Sequence, residues 1–194
     1  MAVLQLLEDR IRKDGRALNA DVLLVDSFLN NQVDPELMCE IGREFARLFA
    51  KDGITKVVTI ESSGISPAVM TAQVLGVPML ILKKSLSSIL NEGILQTDVF
   101  SFTKNKTYQL TLKTQYIQPD DKVLIIDDFL ANGEAARGAI SLLEKAGAKV
   151  VGVGAVIAKM FQPGAAKLTE AGYRVEVLAP VAEMGEGYIK FSDE

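Results

Sequence analysis

Apolar residues follow one another along the chain in two rhythms: short segments rich in aliphatic residues, and stripes at three- and four-residue spacing. The segments are Lys56 to Ile60, Met79 to Leu82, Val123 to Ile126, Lys149 to Ala158 and Tyr173 to Leu178. Strands of this kind belong in a sheet covered on both faces. Helical stripes fill the intervals. Residues 3 to 14 put Leu4, Leu7 and Ile11 on one face, with Gly15 after them. Asp34-Pro35 opens a stronger helix, with Asp as N-cap and Pro at the first helical position. Its stripe is Leu37, Met38, Ile41, Phe45, Leu48 and Phe49, and it runs to about Asp52, where Gly53 stops it. Further helices are predicted from Pro67 to Leu75, from Ala136 through Ala139, Ile140 and Leu143 to a stop at Gly147, and from Gln162-Pro163-Gly164 to Gly172. Strands alternating with helices predict an α/β fold with a mostly parallel central sheet flanked by helices.

Three stretches stand outside that alternation. Val22 to Asn30 reads as a strand and polar turn ahead of the repeat, placed to cover a ligand. Residues 85 to 98 keep neither rhythm, and so long a loop in a compact domain reads as an active-site lid. Val99 to Phe102 and Tyr108 to Leu112 alternate around Lys104-Asn105-Lys106 and predict an antiparallel hairpin.

The chemistry gathers after Val123-Leu124-Ile125-Ile126. Asp127-Asp128 follow at the carboxyl end of that run, where ligands bind in open α/β sheets. Then come Phe129-Leu130 and the small-residue loop Ala131-Asn132-Gly133-Glu134-Ala135, and then a helix. Backbone N–H groups of that loop have no partner inside the helix, and the helix dipole favours an anion there. Small side chains let a phosphate come close. The two acids repel the same phosphate and suit hydroxyls or a cation. Hydroxyls at one end and phosphate at the other describe a sugar phosphate. Glu61-Ser62-Ser63-Gly64-Ile65-Ser66-Pro67 repeats the strand-to-helix logic, so a ligand with two phosphate groups is favoured. Lys83 and Lys84, ending the next strand, are placed as counter-charges. Lys159 ends the strand after the main motif and points toward the same edge as Asp127. Gly152-Val153-Gly154 lies inside a strand, so it is no dinucleotide fingerprint.

Composition narrows the chemistry further. The 194 residues contain no histidine, which removes Ser-His-Asp and Cys-His hydrolases and His-ligated zinc. The single cysteine, Cys39, allows no internal disulfide and fits a reducing cytoplasm. A net charge of −4 argues against a nucleic-acid surface. No apolar run spans a bilayer and no signal segment opens the chain, so no membrane association is expected.

The Asp127-Asp128-Phe129-Leu130-Ala131-Asn132-Gly133 stretch resembles the phosphoribosyl-pyrophosphate motif of the type I phosphoribosyltransferases, and most of all their xanthine-using branch. It departs from the wider family in carrying Asn132 and Ala135 where many members carry Thr. The resemblance covers essentially the whole chain. It implies one domain over 1–194, with a core of about 35–178, a small hood from 1–34 and 179–194, and a flexible hairpin lid. It implies transfer of the phosphoribosyl group from phosphoribosyl pyrophosphate to xanthine, as part of purine salvage, with Mg²⁺ held mainly through the substrate and no residue assigned as a direct metal ligand. Asp127 and Asp128 would hold the ribose hydroxyls and act in catalysis. Ala131, Asn132, Gly133, Glu134 and Ala135 would cradle the 5′-phosphate. Ser62, Ser63, Gly64 and Lys84 would meet the pyrophosphate, and Leu23, Asn30 and Lys159 the purine. A cytoplasmic homodimer is implied as well. Two alternatives stay open: another purine as substrate, or a non-catalytic regulator that senses phosphoribosyl pyrophosphate.

Overall fold

A computed structural model describes residues 4–84, 93–101 and 105–192. Helix α1 spans Gln5–Asp14 and buries Leu7 and Ile11. A ribbon follows, with β1 (Arg16–Ala17) antiparallel to β2 (Leu23–Leu24). Of the strand and turn expected over Val22 to Asn30, the strand is only two residues long, and the turn, Asp26–Asn30, is π-helical. The reason is burial. Phe28 and Leu29 are 0% and 1% exposed, whereas a strand would send adjacent side chains to opposite faces.

Helix α2 (Pro35–Leu48) starts as expected, its Asp34 carboxylate accepting from the N–H groups of Glu36 and Leu37, each at 3.1 Å. It ends at Leu48, earlier than Asp52. Arg174 donates to the Leu48 carbonyl at 2.9 Å, satisfying a group that another helical turn would have used. The same guanidinium lies 4.4 Å from the centroid of the Phe49 ring.

The remaining elements are β3 (Lys56–Ile60), α3 (Ile65–Leu75), β4 (Met79–Leu82), β5 (Ile94–Ser101), β6 (Lys106–Lys113), β7 (Lys122–Leu130), α4 (Glu134–Lys145), β8 (Lys149–Lys159), α5 (Gly164–Glu170), β9 (Arg174–Gly185) and β10 (Tyr188–Phe191). The main sheet has the order β10-β9-β8-β7-β3-β4, parallel except for β10. Connections leave β3 in one direction and β7 in the other. Their carboxyl ends therefore flank the crevice where open α/β sheets bind ligands. One apolar cluster packs α1, α2 and α3 on a face of the sheet, and a second packs α4 and the β5–β6 hairpin on the other.

Two expected boundaries shift. β5 begins at Ile94, well inside the stretch read as lid loop, because β6 pairs with it residue by residue from Lys113 to Lys106. Residues 85–92 of that loop, and Phe102 and Lys104 of the hairpin turn, lie outside the described residues. β9 passes Leu178 and continues to Gly185. Pro180, inside it, has no N–H to give, but its carbonyl accepts from Ser192 N–H at 2.9 Å. The tail meets the N-terminal segment through Gly187 N–H to the Ala17 carbonyl, 3.1 Å. Among the described residues, no helix is long and apolar enough to cross a membrane.

Candidate active site

Asp127 and Asp128 lie within β7, not beyond it. Phe129 and Leu130 still pair with Ile157 and Ala158 of β8, so the strand outlasts the purely aliphatic run. Asp127 Oδ1 accepts from the Asp128 N–H at 3.0 Å. Asp127 is partly buried as a residue, and protein atoms crowd its carboxyl. Burial, and then the charge of Asp128, push its pKa well above the usual carboxylate value, and Lys84 opposes the shift.

The loop after β7 is shaped for an anion. Gly133 adopts φ +84°, and α4 begins at the next residue. The N–H groups of Asn132 and Gly133 find no acceptor among the described residues. Those of Glu134 and Ala135 fall in the first helical turn, which has no internal acceptor. The Glu134 carboxylate is turned toward Arg137 at 3.2 Å. Sequence reasoning missed the brace beneath this loop. Gly164, at the start of α5, donates its N–H to the Ala131 carbonyl at 2.9 Å. A Cβ there would lie 2.2 Å from that carbonyl oxygen and 2.7 Å from the Gly133 nitrogen. The contact joins residues 33 positions apart in the chain, so no local signal announces it.

The second junction lies alongside. Ser62 to Gly64 form a turn, with Ile65 N–H donating to the Ser62 carbonyl at 3.1 Å, and the Glu61–Ser62 peptide is cis. Gly64 brings this turn against the main motif, since a Cβ there would lie 2.9 Å from Asp127 Oδ1. The two lysines part company. Lys83 pairs with Glu61 at 3.1 Å. Lys84 gives its backbone N–H to Glu61, while its ammonium lies 5.5 Å from the centroid of the Tyr108 ring. Burial alone would raise the Glu61 pKa, but these contacts outweigh it and the net shift is downward. The pKa of Tyr108 is raised by burial and by Asp127. A cavity of about 410 Å³ joins Lys84, Tyr108, Phe129, Ala131, Asn132 and Ala135.

Residues 33–170 match the phosphoribosyl transferase domain family. The chain belongs to the phosphoribosyl transferase family. Among relatives, it is 56% identical to xanthine phosphoribosyltransferase 1 of Clostridium botulinum over 97% of this chain and 99% of that protein. It is 53% identical to xanthine phosphoribosyltransferase of Stutzerimonas stutzeri over 98% of this chain and all of that one. Among solved structures, the adenine phosphoribosyltransferase of Rhodothermus marinus superposes with a TM-score of 0.72 at 25% identity, covering 90% of this chain and 98% of that one. The mostly parallel sheet flanked by helices is the type I phosphoribosyltransferase fold.

Against the family frame, the residues named for a purine divide. Lys159 ends β8, donates to the Asp21 carbonyl and lies 5.9 Å from the Phe129 ring centroid. Burial lowers its pKa, and Asp21 pulls the other way. Leu23 is buried in the apolar cluster that Phe129 borders. Asn30 ends the π-helical turn, its Oδ1 buried and without a partner among the described residues. No hydrogen bond joins it to Lys159 there. Phe129, which the sequence reading did not name for the purine, lies beside Lys159 and lines the cavity. Its place directly after the two acids, on the strand that carries them, was the available signal.

Proposed function

We propose that this protein transfers the 5-phosphoribosyl group from phosphoribosyl pyrophosphate to xanthine, giving xanthosine 5′-monophosphate and pyrophosphate. The observation that carries the reading is identity above one half, over nearly the full length, to relatives named for that activity. The geometry supports it. Hydroxyls suit Asp127 and Asp128, and a 5′-phosphate suits the free N–H groups at Asn132 and Gly133. Pyrophosphate suits the Ser62–Gly64 turn with Lys84, and Lys159 beside the Phe129 ring suits the purine, with Leu23 and Asn30 assigned to it by resemblance. Purified protein should turn over phosphoribosyl pyrophosphate with xanthine in a spectrophotometric assay. A higher kcat/KM with adenine, hypoxanthine or guanine, or binding without turnover, would overturn the reading.

Cleavage at the sugar C1 runs ahead of bond formation, so charge builds on the ring and on the departing pyrophosphate. The chain's contribution is positioning and electrostatic complement. Asp127 and Asp128 hold the ring by its hydroxyls and set negative charge beneath the cationic carbon. Lys84, with no carboxylate within ion-pair distance among the described residues, is available to the leaving group. No group of three or more metal-ligating side chains occurs among the described residues. The oxygen ligands of Asp127 and Asp128 fit a hard ion such as Mg²⁺, which they would help hold together with substrate oxygens. When bound, it supplies positive charge to the pyrophosphate. A cytoplasmic homodimer belongs to the same reading, and sedimentation equilibrium tests the dimer.

The brace under the phosphate loop yields a separate expectation. Gly164→Ala forces a methyl into the Ala131 carbonyl, and overpacking of this kind costs about 1–3 kcal/mol. Calorimetric affinity for ribose 5-phosphate should fall roughly 5- to 150-fold, while affinity for pyrophosphate holds. Unchanged ribose 5-phosphate binding would show that the loop shifts freely.

A further inference from the structure

Two buried polar side chains of α3 and β3 are satisfied. Thr71 is 0% exposed and donates to the Pro67 carbonyl at 2.8 Å, and Lys56, at the end of β3 away from the crevice, pairs with Asp121 at 2.8 Å. Thr59, at the crevice end, differs. It stands one residue before the end of β3, is 0% exposed, and its Oγ1 has no partner among the described residues. A hydroxyl left that way costs folding free energy without return in this state.

Its surroundings show what could take the hydrogen bond. A Cβ on Gly64 would lie 2.4 Å from Thr59 Oγ1 and 2.9 Å from Asp127 Oδ1. Hydroxyl and carboxylate thus both lie close to one bare glycine, in the turn assigned to pyrophosphate. Asp127 Oδ1 accepts only the Asp128 N–H among the described residues, and a carboxylate oxygen has room for a second donor.

We propose that Thr59 is a positioning residue: with substrate in the cleft, its hydroxyl donates to Asp127 Oδ1 and aims the other carboxylate oxygen at the ribose hydroxyls. The inference rests on the functional reading above and extends it to a residue that touches no substrate. A side chain retained for packing alone would serve as well as valine, which has the same shape without the oxygen.

The test compares Thr59→Val and Thr59→Ser with the wild type. Thr59→Val should melt at the same temperature as the wild type or higher, because it removes an unpaired hydroxyl. Its kcat/KM for phosphoribosyl pyrophosphate should fall about tenfold or more, as expected for a hydrogen bond to a charged group. Calorimetric affinities for pyrophosphate and for xanthine should stay put, and Thr59→Ser should recover most of the loss. An unaltered kcat/KM in Thr59→Val, an equal loss of pyrophosphate affinity, or no recovery with serine would each overturn the proposal. Should valine prevent folding, Thr59→Ala must show the same selective loss. If the wild type does not join xanthine to phosphoribosyl pyrophosphate, the functional reading fails first. The Thr59 variants are then compared by ribose 5-phosphate affinity, where no difference between valine and serine overturns this inference on its own.

Discussion

Asp127→Asn and Asp128→Asn are each expected to lower kcat/KM for phosphoribosyl pyrophosphate by about 10²-fold or more. A hydrogen bond to a charged acceptor is worth about 1.5–3 kcal/mol, and both bonding and charge are lost at the point where positive charge develops. For Asp127 a second, opposite effect should appear. Burial and Asp128 hold its carboxyl protonated to higher pH than in the unfolded chain, whose value lies near 3.8. Between those two values the folded state binds more protons than the unfolded one, so stability declines as pH rises through that window. Above the unfolded value the carboxyl therefore stabilises the folded protein less than a neutral side chain would, and asparagine removes that cost. Asp127→Asn should melt higher than the wild type at neutral pH, by an increment of about 1 kcal/mol, or roughly 2–4 °C in a chain of this size. The gap should close toward acid. Melting curves against pH together with steady-state kinetics check both halves. Full activity in the variant, or a lower melting point at neutral pH, would contradict the assignment.

The opposition between activity and stability at Asp127 bears on what could be read from the residues alone. The order of aliphatic run, acid pair, small-residue loop and helix is contiguous, so each part announces its neighbour. Asp34-Pro35 is legible for the same reason, because a cap and its helix touch in sequence. Phe28 and Leu29 are different. Their joint burial follows from the apolar cluster around them, and only that context selects a π-helical turn over a strand. Gly164 and Thr59 were silent because their meaning lies in atoms brought from elsewhere, the Ala131 carbonyl in one case and Gly64 with Asp127 in the other. Lys83 and Lys84 looked alike as neighbours in sequence. The Glu61 carboxylate separates them by pairing with the Lys83 ammonium and leaving that of Lys84 near Tyr108.

Lys159→Ala should raise the KM for xanthine by about 10- to 100-fold, the worth of one charged hydrogen bond, and leave the KM for phosphoribosyl pyrophosphate nearly unchanged. The ammonium is already occupied in the ligand-free protein, donating to the Asp21 carbonyl between β1 and β2 while lying beside the Phe129 ring. Xanthine must therefore replace that backbone carbonyl with one of its own, and the Phe129 ring beside the ammonium adds to what the lysine supplies. Phe129→Ala is accordingly expected to weaken xanthine as much as Lys159→Ala does, and the double variant should lose less than the sum of the two, since the side chains are in contact. Methionine at 159 keeps the aliphatic stem and discards the charge. It should preserve stability and still lose xanthine affinity, which separates the ammonium from its packing. Equal losses for both substrates in Lys159→Met would take the residue out of the purine site and leave it as a tie between the N-terminal ribbon and the sheet.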